Sequence, residues 1–591
     1  MNIKTLLEEL KIPSHYSFPY KAEKFTEKEK KILDNFFTNT NKPVFAIYNL
    51  PQEVVGAMFS RYSRSEKSVR RLFLDEFWNS SFSIYKVDNK RFLKARERTD
   101  AFYKKVFAEY GDDSVIQMGS VHIAFEFLSQ MIAAKAIEDA RIGASYIEKS
   151  TRYVDFGKKV SNRYLFMDPY EITKSKYKKE YLDWNNALFE AYSRNLVKTA
   201  EFLRSKYKLD QIKIENAKDG KLYKYSELDN NKKEIIKSAY ERAIKAKSFD
   251  TIRYFLPLTT VTNLGAHYSG QASEVILNKM LVSPFSEVRK LGILGYQELM
   301  KVSPNFLQNI DSNHGKVYRD YRNNIRLGLE EESEKYCNKI GISSNKSTVS
   351  IVDFDKNGLE KICVDIIYCG QVKSNLSKNS VYKWVRNNLN ERKMKDILKT
   401  AIPDRNIGNL NRRHKLPRSF EHVFAEVEFY TDVGVYKDLQ RNRLSTTQRI
   451  GYHAEDIETP KEYLEKGMED VFKDYLNLTK WTKEFHEKVA SSKEKSLLRS
   501  AEYITILGNK IRFSVKANIR QWVYFSELRT ISGGHPAYRF AMQEAVKKII
   551  SKMPYLKPFF AKVDWVKDYG LGRFMAEIKT QEKLSKLEKN K

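Results

Sequence analysis

The sequence repeats itself, and this feature constrains the fold more than any other. The stretch EFLSQMIAAKAIEDAR at 126–141 aligns without gaps with EFYTDVGVYKDLQRNR at 428–443. Further along, IRYFLPLTTVTNLGAH at 252–267 resembles IRQWVYFSELRTISGGH at 519–535, with one residue inserted. Any two helices share a few apolar positions, but two matches in the same order indicate two diverged copies of one α/β domain.

The length of 591 residues is too great for one hydrophobic core and fits three or four domains, or two larger ones. We predict a first domain at 1–340, with an N-terminal extension and a polar insertion near 205–235. The stretch IGISSNK at 340–346 has the composition of a linker. A second domain is predicted at 347–565, followed by a basic C-terminal tail at 566–591.

Composition indicates a folded protein with a strongly positive field. The chain is 41% hydrophobic and 13% aromatic, so it can bury large cores. Its net charge of +30 favours partners that carry phosphate, such as nucleotides, cofactors or nucleic acid. Because the lysines are spread along the chain, a generally Lys-rich protein is favoured over dedicated nucleic-acid binding.

Three cysteines, Cys337, Cys363 and Cys369, are too few and too scattered for a disulfide framework. They indicate a reducing cytoplasm, and no Cys-x-x-Cys pair or His cluster indicates a structural zinc. The first 16 residues lack the apolar region of a signal peptide. No run of about 18 apolar residues predicts a membrane span.

Periodicity gives a coarse assignment of secondary structure. Apolar residues three and four apart predict helices at 120–142, 467–490 and 535–553. Alternation with β-branched residues predicts a strand at 347–355. The stretch 501–518 is predicted to be a hairpin with a Gly-Asn turn.

The stretch ARIGASYIEKSTRYVDF at 140–156 carries most of the chemistry in the first copy. It places two arginines, a glutamate and two serines within 12 residues: Arg141, Ser145, Glu148, Ser150 and Arg152. Arginine offers a planar fork of donors to phosphate, and serine adds a short hydroxyl donor. The combination predicts a site for a planar, phosphorylated ligand.

These residues resemble the signature of the flavin-dependent thymidylate synthases. That signature runs Arg-His-Arg, two residues, Ser, one residue, Asn-Glu, one residue, Ser, one residue, Arg-Tyr. Its Ser, Glu, Ser, Arg and Tyr are matched by Ser145, Glu148, Ser150, Arg152 and Tyr153. The signature Asn is replaced by isoleucine, and of the Arg-His-Arg triplet only one arginine remains.

The second copy resembles the same family in other places. FEHVFAEVEF at 420–429 is similar to the family's Glu-His start of the central helix, with Glu421 as the Glu. Both arginines of the triplet remain as Arg441 and Arg443, with Asn442 in place of the His. The C-terminal block, Asn-x-Arg and then Arg nine residues later, is matched by Asn518, Arg520 and Arg529. In the first copy, Arg253 and Thr262 are predicted to stand where the second copy has these two arginines.

The resemblance implies roles for these residues. The strip Ser145, Glu148, Ser150, Arg152 and Tyr153 would bind dUMP, with its phosphate on Ser150 and Arg152. Arg529 would contact and polarise the pyrimidine. The flavin would be held by second-copy residues: Glu421, Arg441, Asn442, Arg443, Asn518 and Arg520. Because the flavin supplies the chemistry, no protein nucleophile is needed, and none is evident in the sequence.

The resemblance also implies the fold, the reaction and the assembly. We expect an α+β or α/β protein of two fused copies, each with helices packed on an antiparallel or mixed sheet. The enzyme would methylate dUMP to dTMP with FAD, using methylenetetrahydrofolate as carbon donor and NADPH to reduce the flavin. The retained motifs of the two copies are complementary, so a composite site is expected. One chain would then act as a pseudo-dimer, and two chains as a pseudo-tetramer.

Each candidate residue also has a structural explanation. Glu148 and Arg152 are four apart and could pair on a helix, and Asn518 could be a turn residue. Tyr524 and Asp438 replace residues that we expect to contact the pyrimidine in active relatives. A basic, hydroxyl-rich cluster at 60–65 could contact a phosphate or RNA, or form a polar helix edge.

Two other functions stay open on the sequence alone. A catalytically degenerate homologue would bind nucleotides or nucleic acid without flavin, which the net charge would suit. A flavoenzyme acting on another pyrimidine would keep FAD without converting dUMP. A scaffold role ranks third because it leaves the retained arginines unexplained.

Overall fold

The computed structural model describes residues 8–10, 12–13, 16–78, 113–138, 143–215, 222–341, 347–407 and 410–589. By contact density the chain divides into two compact units. Unit 1 consists of 1–194, 255–342 and 474–506, and unit 2 consists of 195–254, 343–473 and 507–591. Each unit therefore takes segments from both halves of the sequence.

Two four-stranded antiparallel sheets form the frame, one in each unit. The strands formed by the described residues are β1 (Val44–Ile47), β2 (Ser120–Ser129), β3 (Ala144–Glu148), β4 (Lys213–Glu215), β5 (Leu222–Lys224), β6 (Val261–Ser269), β7 (Val349–Phe354), β8 (Phe424–Asp432), β9 (Thr446–Arg449) and β10 (Lys510–Asn518). The first sheet has the order β1-β2-β6-β3 and the second β7-β8-β10-β9. In both, the fourth strand along the chain inserts between the second and the third, so the tandem repeat is confirmed.

Helices cover the sheets and fill the connections. In the first half they are α1 (Glu27–Leu33), α2 (Gln52–Tyr62), α3 (Val69–Leu72), α4 (Asp113–Met118), α5 (Ala133–Ile137), α6 (Tyr170–Thr173), α7 (Lys178–Lys206), α8 (Asn230–Ile252), α9 (Gly270–Leu281), α10 (Ser286–Leu299) and α11 (Asn313–Ile340). In the second half they are α12 (Gly358–Cys369), α13 (Lys378–Asn388), α14 (Glu391–Ala401), α15 (Val433–Leu439), α16 (Glu469–Ala490), α17 (Lys495–Ser500), α18 (Ile519–Arg529), α19 (Pro536–Lys552) and α20 (Phe574–Lys589). The expected α+β class, with helices on antiparallel sheets, is confirmed.

The predicted helix at 120–142 is wrong, because its first ten residues form strand β2. Seven consecutive residues from Ile123 to Ser129 are buried, so both faces of the strand are covered. A strand covered on both faces is apolar on both, and its sequence loses the two-residue alternation that marks a strand. The predicted strand at 347–355 and the helices at 467–490 and 535–553 are confirmed as β7, α16 and α19.

The predicted hairpin at 501–518 is half right. Its second arm is β10, but residues 501–503 form a single 3-10 turn. Strand β10 pairs instead with β8 and β9, which come from 424–432 and 446–449. The Gly-Asn step therefore leads into a sheet and does not close a hairpin.

The strand registers show which residues of the two copies are equivalent. Ser269 ends β6 and Asn518 ends β10, each opposite the first residue of the second strand of its sheet. Counting on from these ends, Gln271 and Met280 of the first copy occupy the positions of the two arginines of the C-terminal block. The first copy therefore has neither arginine at the equivalent place.

The residues proposed earlier for those positions lie elsewhere. Arg253 is in a 3-10 turn before β6, and Thr262 is inside β6, so the predicted pairing of 252–267 with 519–535 is wrong. The gapless match of 126–141 with 428–443 is also displaced, since the registers make Ala124 the equivalent of Glu428. The repeat exists in the topology, and short sequence matches locate it only approximately.

The segments predicted to be peripheral have defined structure. The insertion near 205–235 contains the two-stranded sheet of β4 and β5, together with the start of α8. The stretch predicted as a tail includes α20, and Phe574 and Ile578 pack into one core with Leu203 and Tyr240. Of the predicted linker at 340–346, residues 342–346 lie outside the described residues. In the part of the chain that the structure describes, no helix is long and apolar enough to cross a membrane.

A buried carboxyl group joins separate segments of unit 1. Glu287 is fully buried and accepts hydrogen bonds from the backbone N and the Oγ of Ser129 at 2.7 and 2.8 Å. The Tyr503 hydroxyl donates a third at 2.9 Å. Burial raises the pKa of Glu287 to about 7 despite these donors.

This pKa predicts a decline in stability with rising pH. Because the folded pKa lies above the unfolded one, the contribution of Glu287 is complete below about pH 4.5 and is lost as the pH rises through 7. We expect this group to lower the free energy of unfolding by up to about 3 kcal/mol between pH 5 and 8. Urea unfolding at both pH values would show a shallower decline in Glu287→Gln than in the unmodified chain. Equal pH dependence in the two proteins would contradict the prediction.

Candidate functional site

The first-copy strip begins on an edge strand. Among the described strands, β3 pairs only with β6, with Ser145 opposite His267 and Glu148 opposite Leu264. Ser145 is exposed and Glu148 is 3% exposed. Arg141 lies outside the described residues.

Glu148 belongs to an internal ion-pair group. Lys135, also buried, places its Nζ 3.0 Å from the Glu148 carboxylate and also contacts Glu138. Two carboxylates thus share one buried ammonium group. The substrate role of Glu148 stays a prediction, while its structural role is to hold β3 against α5.

The residues after β3 meet the basic cluster at 60–65. The backbone N of Ser150 donates to the carbonyl of Ser63 at 3.0 Å, and the Oγ of Ser150 accepts from the backbone N of Arg152 at 3.3 Å. The guanidinium of Arg64 lies over the Tyr153 ring, 5.2 Å from its centroid. Ser150, Arg152 and Tyr153 are therefore together, and they are joined by Arg64.

Lys149 is a further member of this group that sequence reasoning missed. Its backbone N donates to the Asn263 carbonyl at 2.9 Å, and its Nζ lies 3.5 Å from the Glu66 carbonyl. With the Asn263 amide oriented to satisfy its neighbours, its oxygen accepts from Lys149 Nζ at 3.1 Å. Desolvation lowers the pKa of Lys149, against the opposing effects of Glu126 and Glu66. No motif singles out this lysine, and only the burial of its amine draws attention to it.

The second-copy candidates gather around the start of α18. Asn518 caps that helix, its side chain accepting from the backbone N of Gln521 at 2.8 Å. The Nε2 of Gln521 donates to the Oδ1 of Asn442 at 2.5 Å. Gln521, which the sequence analysis passed over, thus links the two predicted asparagines.

Arg520 and Glu421 pair with each other. Their side chains meet at 2.8 Å, and the Nε of Arg520 donates to the Leu416 carbonyl at 2.6 Å. Arg418 contacts the second oxygen of Glu421 at 3.2 Å. Both predicted cofactor residues are thus engaged in fixing the segment that leads into β8.

Arg441 and Arg443 flank the buried Asn442 on the turn between α15 and β9. Both arginines are exposed, whereas Asn442 is 9% exposed. The Nδ2 of Asn442 has no hydrogen-bond partner among the described residues. A buried amide donor without an acceptor is costly, so it fits a ligand that supplies one.

Arg529 lies at the other end of α18, about 13 Å along the helix axis from Arg520. Its guanidinium stacks on Phe525 and Tyr538, at 5.8 and 5.6 Å from the ring centroids. Its Nε is buried and has no hydrogen-bond partner within the described part of the chain. The helix therefore separates Arg529 from the asparagine cluster at its start.

The two positions that depart from the family pattern have structural partners. Asp438 accepts from Arg253 at 3.2 Å, and Arg253 is itself fully buried. The ammonium of Lys415 lies 4.9 Å from the centroid of Tyr524. Asp438 thus neutralises a buried arginine, which explains a carboxylate at this position.

Comparison with known proteins identifies the family to which the chain belongs. It is 32% identical over 568 residues to a UPF0159 protein of Chlamydia pneumoniae, covering 95% of this chain and 99% of that protein. The chain belongs to the UPF0159 family. A second UPF0159 protein, from Chlamydia muridarum, is 30% identical over 94% of this chain and 98% of its own length. UPF0159 protein Ta1429 of Thermoplasma acidophilum is 26% identical over 89% and 98%, respectively.

Residues 71–305 match the sequence model of the thymidylate synthase complementing proteins, the flavin-dependent thymidylate synthase family. The match includes β2, β3 and β6 and the strip at 145–153, so the resemblance to the flavin-dependent thymidylate synthase family is confirmed. Relatives of about the same length as this chain fit two tandem copies. A solved UMP/dUMP methylase from Streptomyces cacaoi aligns with 37% of this chain and 97% of its own, at 13% identity and a TM-score of 0.28, which is too low to support an argument.

The UPF0159 site residues suit an anionic organic ligand and offer no metal centre. Within the described residues, no group of three or more His, Cys, Asp or Glu could hold a metal ion. Among the predicted cofactor residues that the structure describes, Asn442 has a buried, unpaired Nδ2 and Arg443 is exposed. An amide donor beside a guanidinium suits a pyrophosphate or a ring carbonyl, both of which FAD carries.

Proposed function

We propose that this UPF0159 protein is an FAD-dependent thymidylate synthase-like enzyme that methylates dUMP to dTMP. Methylenetetrahydrofolate would supply the carbon, and NADPH the two electrons. The observation that carries the proposal is the family match at 71–305, which contains the Ser150–Arg152 strip. The contacts of this strip with Ser63 and Arg64 support a phosphate site there.

In this proposal the first copy holds the nucleotide. The Ser150 hydroxyl oxygen accepts the Arg152 N–H, so its own proton is left to donate to a phosphate oxygen. The Arg152 guanidinium would pair with the same phosphate through two parallel donors. Arg64, held on Tyr153, adds a second positive charge to the group.

The second copy would hold the flavin and polarise the pyrimidine. Reduced FAD, when bound, supplies the hydride that completes the methyl group. Asn442 would donate its open amide N–H to the cofactor, and Gln521 holds Asn442 in place. Arg529, packed on two aromatic rings, would donate to a pyrimidine carbonyl. The association of two chains stays a prediction.

The test is a titration of the purified protein, followed between 350 and 500 nm. Bound flavin whose bands shift with dUMP supports the synthase and leads to assays of dTMP formation. We expect Arg152→Ala to weaken dUMP binding by tenfold or more, because it removes charge-assisted bonds to the phosphate. Arg152→Lys keeps the charge but loses the two parallel donors of the guanidinium, so its dUMP affinity should lie between those of Arg152→Ala and the unmodified protein.

Lys179→Ala is the matched control, since Lys179 is 91% exposed and, among the described residues, forms an ion pair only with Asp183 on its own helix. Failure to reconstitute the protein with FAD would contradict the proposed FAD-dependent enzymatic activity. Flavin that binds without any response to dUMP would favour another pyrimidine substrate. Unchanged dUMP binding in Arg152→Ala would remove Arg152 from the site.

A further inference from the structure

Two of the helices between β7 and β8, α13 and α14, carry a concentrated positive charge together with the segment that precedes them. Residues 371–401, which include α13 and α14, contain eight lysines and arginines against Glu391 and Asp396, a net charge of +6. Several of these cations are neutralised locally, as Lys378 is by Asp365 at 2.8 Å and Arg386 by Glu360 at 3.1 Å. Five are exposed and have no ion pair with any described residue: Lys373, Lys383, Arg392, Lys393 and Lys399.

Helix α13 exposes an aromatic side chain within this positively charged stretch of the sequence. Val381 and Val385 are 3% and 0% exposed and attach the helix to its neighbours. Lys383 and Asn387 lie on the opposite face and Trp384 lies beside it on the flank of the helix, and all three are exposed. Trp384 is 54% exposed, whereas Trp184 and Trp522 are fully buried.

We propose that the outer face of α13 is a docking surface for single-stranded RNA. Trp384 would stack on an unpaired base, while Lys383, next to it on the helix, contacts a backbone phosphate and the other exposed cations of 371–401 strengthen the local positive field. Flat aromatic surfaces among cations are the general means of holding single strands, because every base offers a π-face. RNA is favoured over DNA because its loops and ends routinely present unpaired bases.

Other occupants suit this face less well. A duplex keeps its bases stacked, so an indole in the centre of the surface would find no partner. An anionic membrane requires a helix with a free apolar face, whereas Val381 and Val385 of α13 are already buried in the protein. The outward face combines cations, amides and one aromatic ring, and its charge complements a phosphodiester chain.

The test uses the full-length chain and a fluorescently labelled 20-nucleotide uridine oligomer, followed by anisotropy over a range of salt concentrations. We expect Trp384→Ala to raise Kd at least fivefold. Lys383→Gln should weaken binding and reduce the slope of log Kd against log salt by about 0.7, the value for one lost phosphate contact. Both variants should bind dUMP like the unmodified protein, which separates this surface from the proposed nucleotide site.

Matched controls come from the same unit. Trp565→Ala removes another exposed tryptophan (43% exposed), and Lys548→Gln removes another exposed lysine from α19. These variants should leave RNA binding unchanged, and circular dichroism should show all four variants folded. No binding of the oligomer would overturn the proposal, as would equal losses in the test and control variants. Binding to phosphatidylserine vesicles or duplex DNA in preference to the oligomer would also overturn it.

Discussion

A fragment that ends at residue 342 should fail to fold, although it contains all four strands of the first sheet. Unit 1 also requires residues 474–506, which the fragment lacks. The indole of Trp184, fully buried, donates to Thr482 at 3.0 Å and packs edge-on against Phe485. The loss of residues 474–506 exposes this tryptophan and removes the Tyr503 hydroxyl from the buried Glu287.

Backbone pairing in unit 1 depends on the same segment. The N–H of Leu258 donates to the Thr505 carbonyl at 2.9 Å, just before β6 begins. Burial of a side chain as large as tryptophan is worth several kcal/mol, and unpaired buried polar groups add further cost. Since a domain's whole stability is about 5–15 kcal/mol, the fragment should lack a cooperative unfolding transition.

Near-UV circular dichroism and urea unfolding of the purified fragment would show this result. The matched control joins residues 474–506 to the same fragment through a flexible Gly/Ser linker, which restores every segment of unit 1. We expect the extended fragment to unfold cooperatively. A cooperative transition in the short fragment alone would show that residues 1–342 form an independent domain.

Replacement of Arg405 by methionine should destabilise unit 2 by about 3–5 kcal/mol. Arg405 and Glu527 are both buried, and the guanidinium meets the carboxylate through two nitrogens, one of them at 3.0 Å. Arg405 also donates to the Phe559 and His414 carbonyls, at 2.9 and 3.2 Å. Its removal leaves a buried carboxylate without its counter-charge, which costs more than the pair contributes.

Urea unfolding of two further variants separates the ion pair from general damage. The double variant Arg405→Met with Glu527→Met removes both charges and should recover part of the loss. Arg204→Met breaks an exposed pair in the same unit, Arg204 with Glu241 at 2.8 Å, and should cost no more than about 1 kcal/mol. Equal effects of Arg405→Met and Arg204→Met would show that burial does not strengthen the Arg405 contact.

The sequence predicted the amphipathic elements and missed those without periodicity. Helices α16 and α19 each have one exposed face, and their three-to-four spacing was visible. Strand β2 is buried on both sides, so its pattern could not be told from that of a helix. The sequence also did not show that the ends of β6 and β10 are equivalent positions. Their equivalence appears in the hydrogen-bond register of the strands and not in residue identity.

In the candidate site as well, the sequence predicted the local features and missed the long-range contacts. The motif located Ser150 and Arg152, because their spacing is local. Arg64 contacts Tyr153, which is 89 positions away in the chain, and no local pattern encodes that contact. Gln521 is adjacent to a motif residue, but its bond to Asn442 spans 79 positions. Contacts of this kind are set by the sheet topology, which a single sequence does not show.

The interleaved composition of the two units has a consequence for how such a protein assembles. In a single-copy ancestor with the same arrangement, the segments equivalent to 195–254 and 474–506 would have to come from a second molecule. The association of the two molecules would then slow down as the protein is diluted. Joining the copies in one chain makes that exchange intramolecular, with an effective concentration set by the connecting segment. Folding then no longer depends on how much protein the cell contains. Each copy is also free to lose residues that the other retains, since both are always synthesised together in equal number.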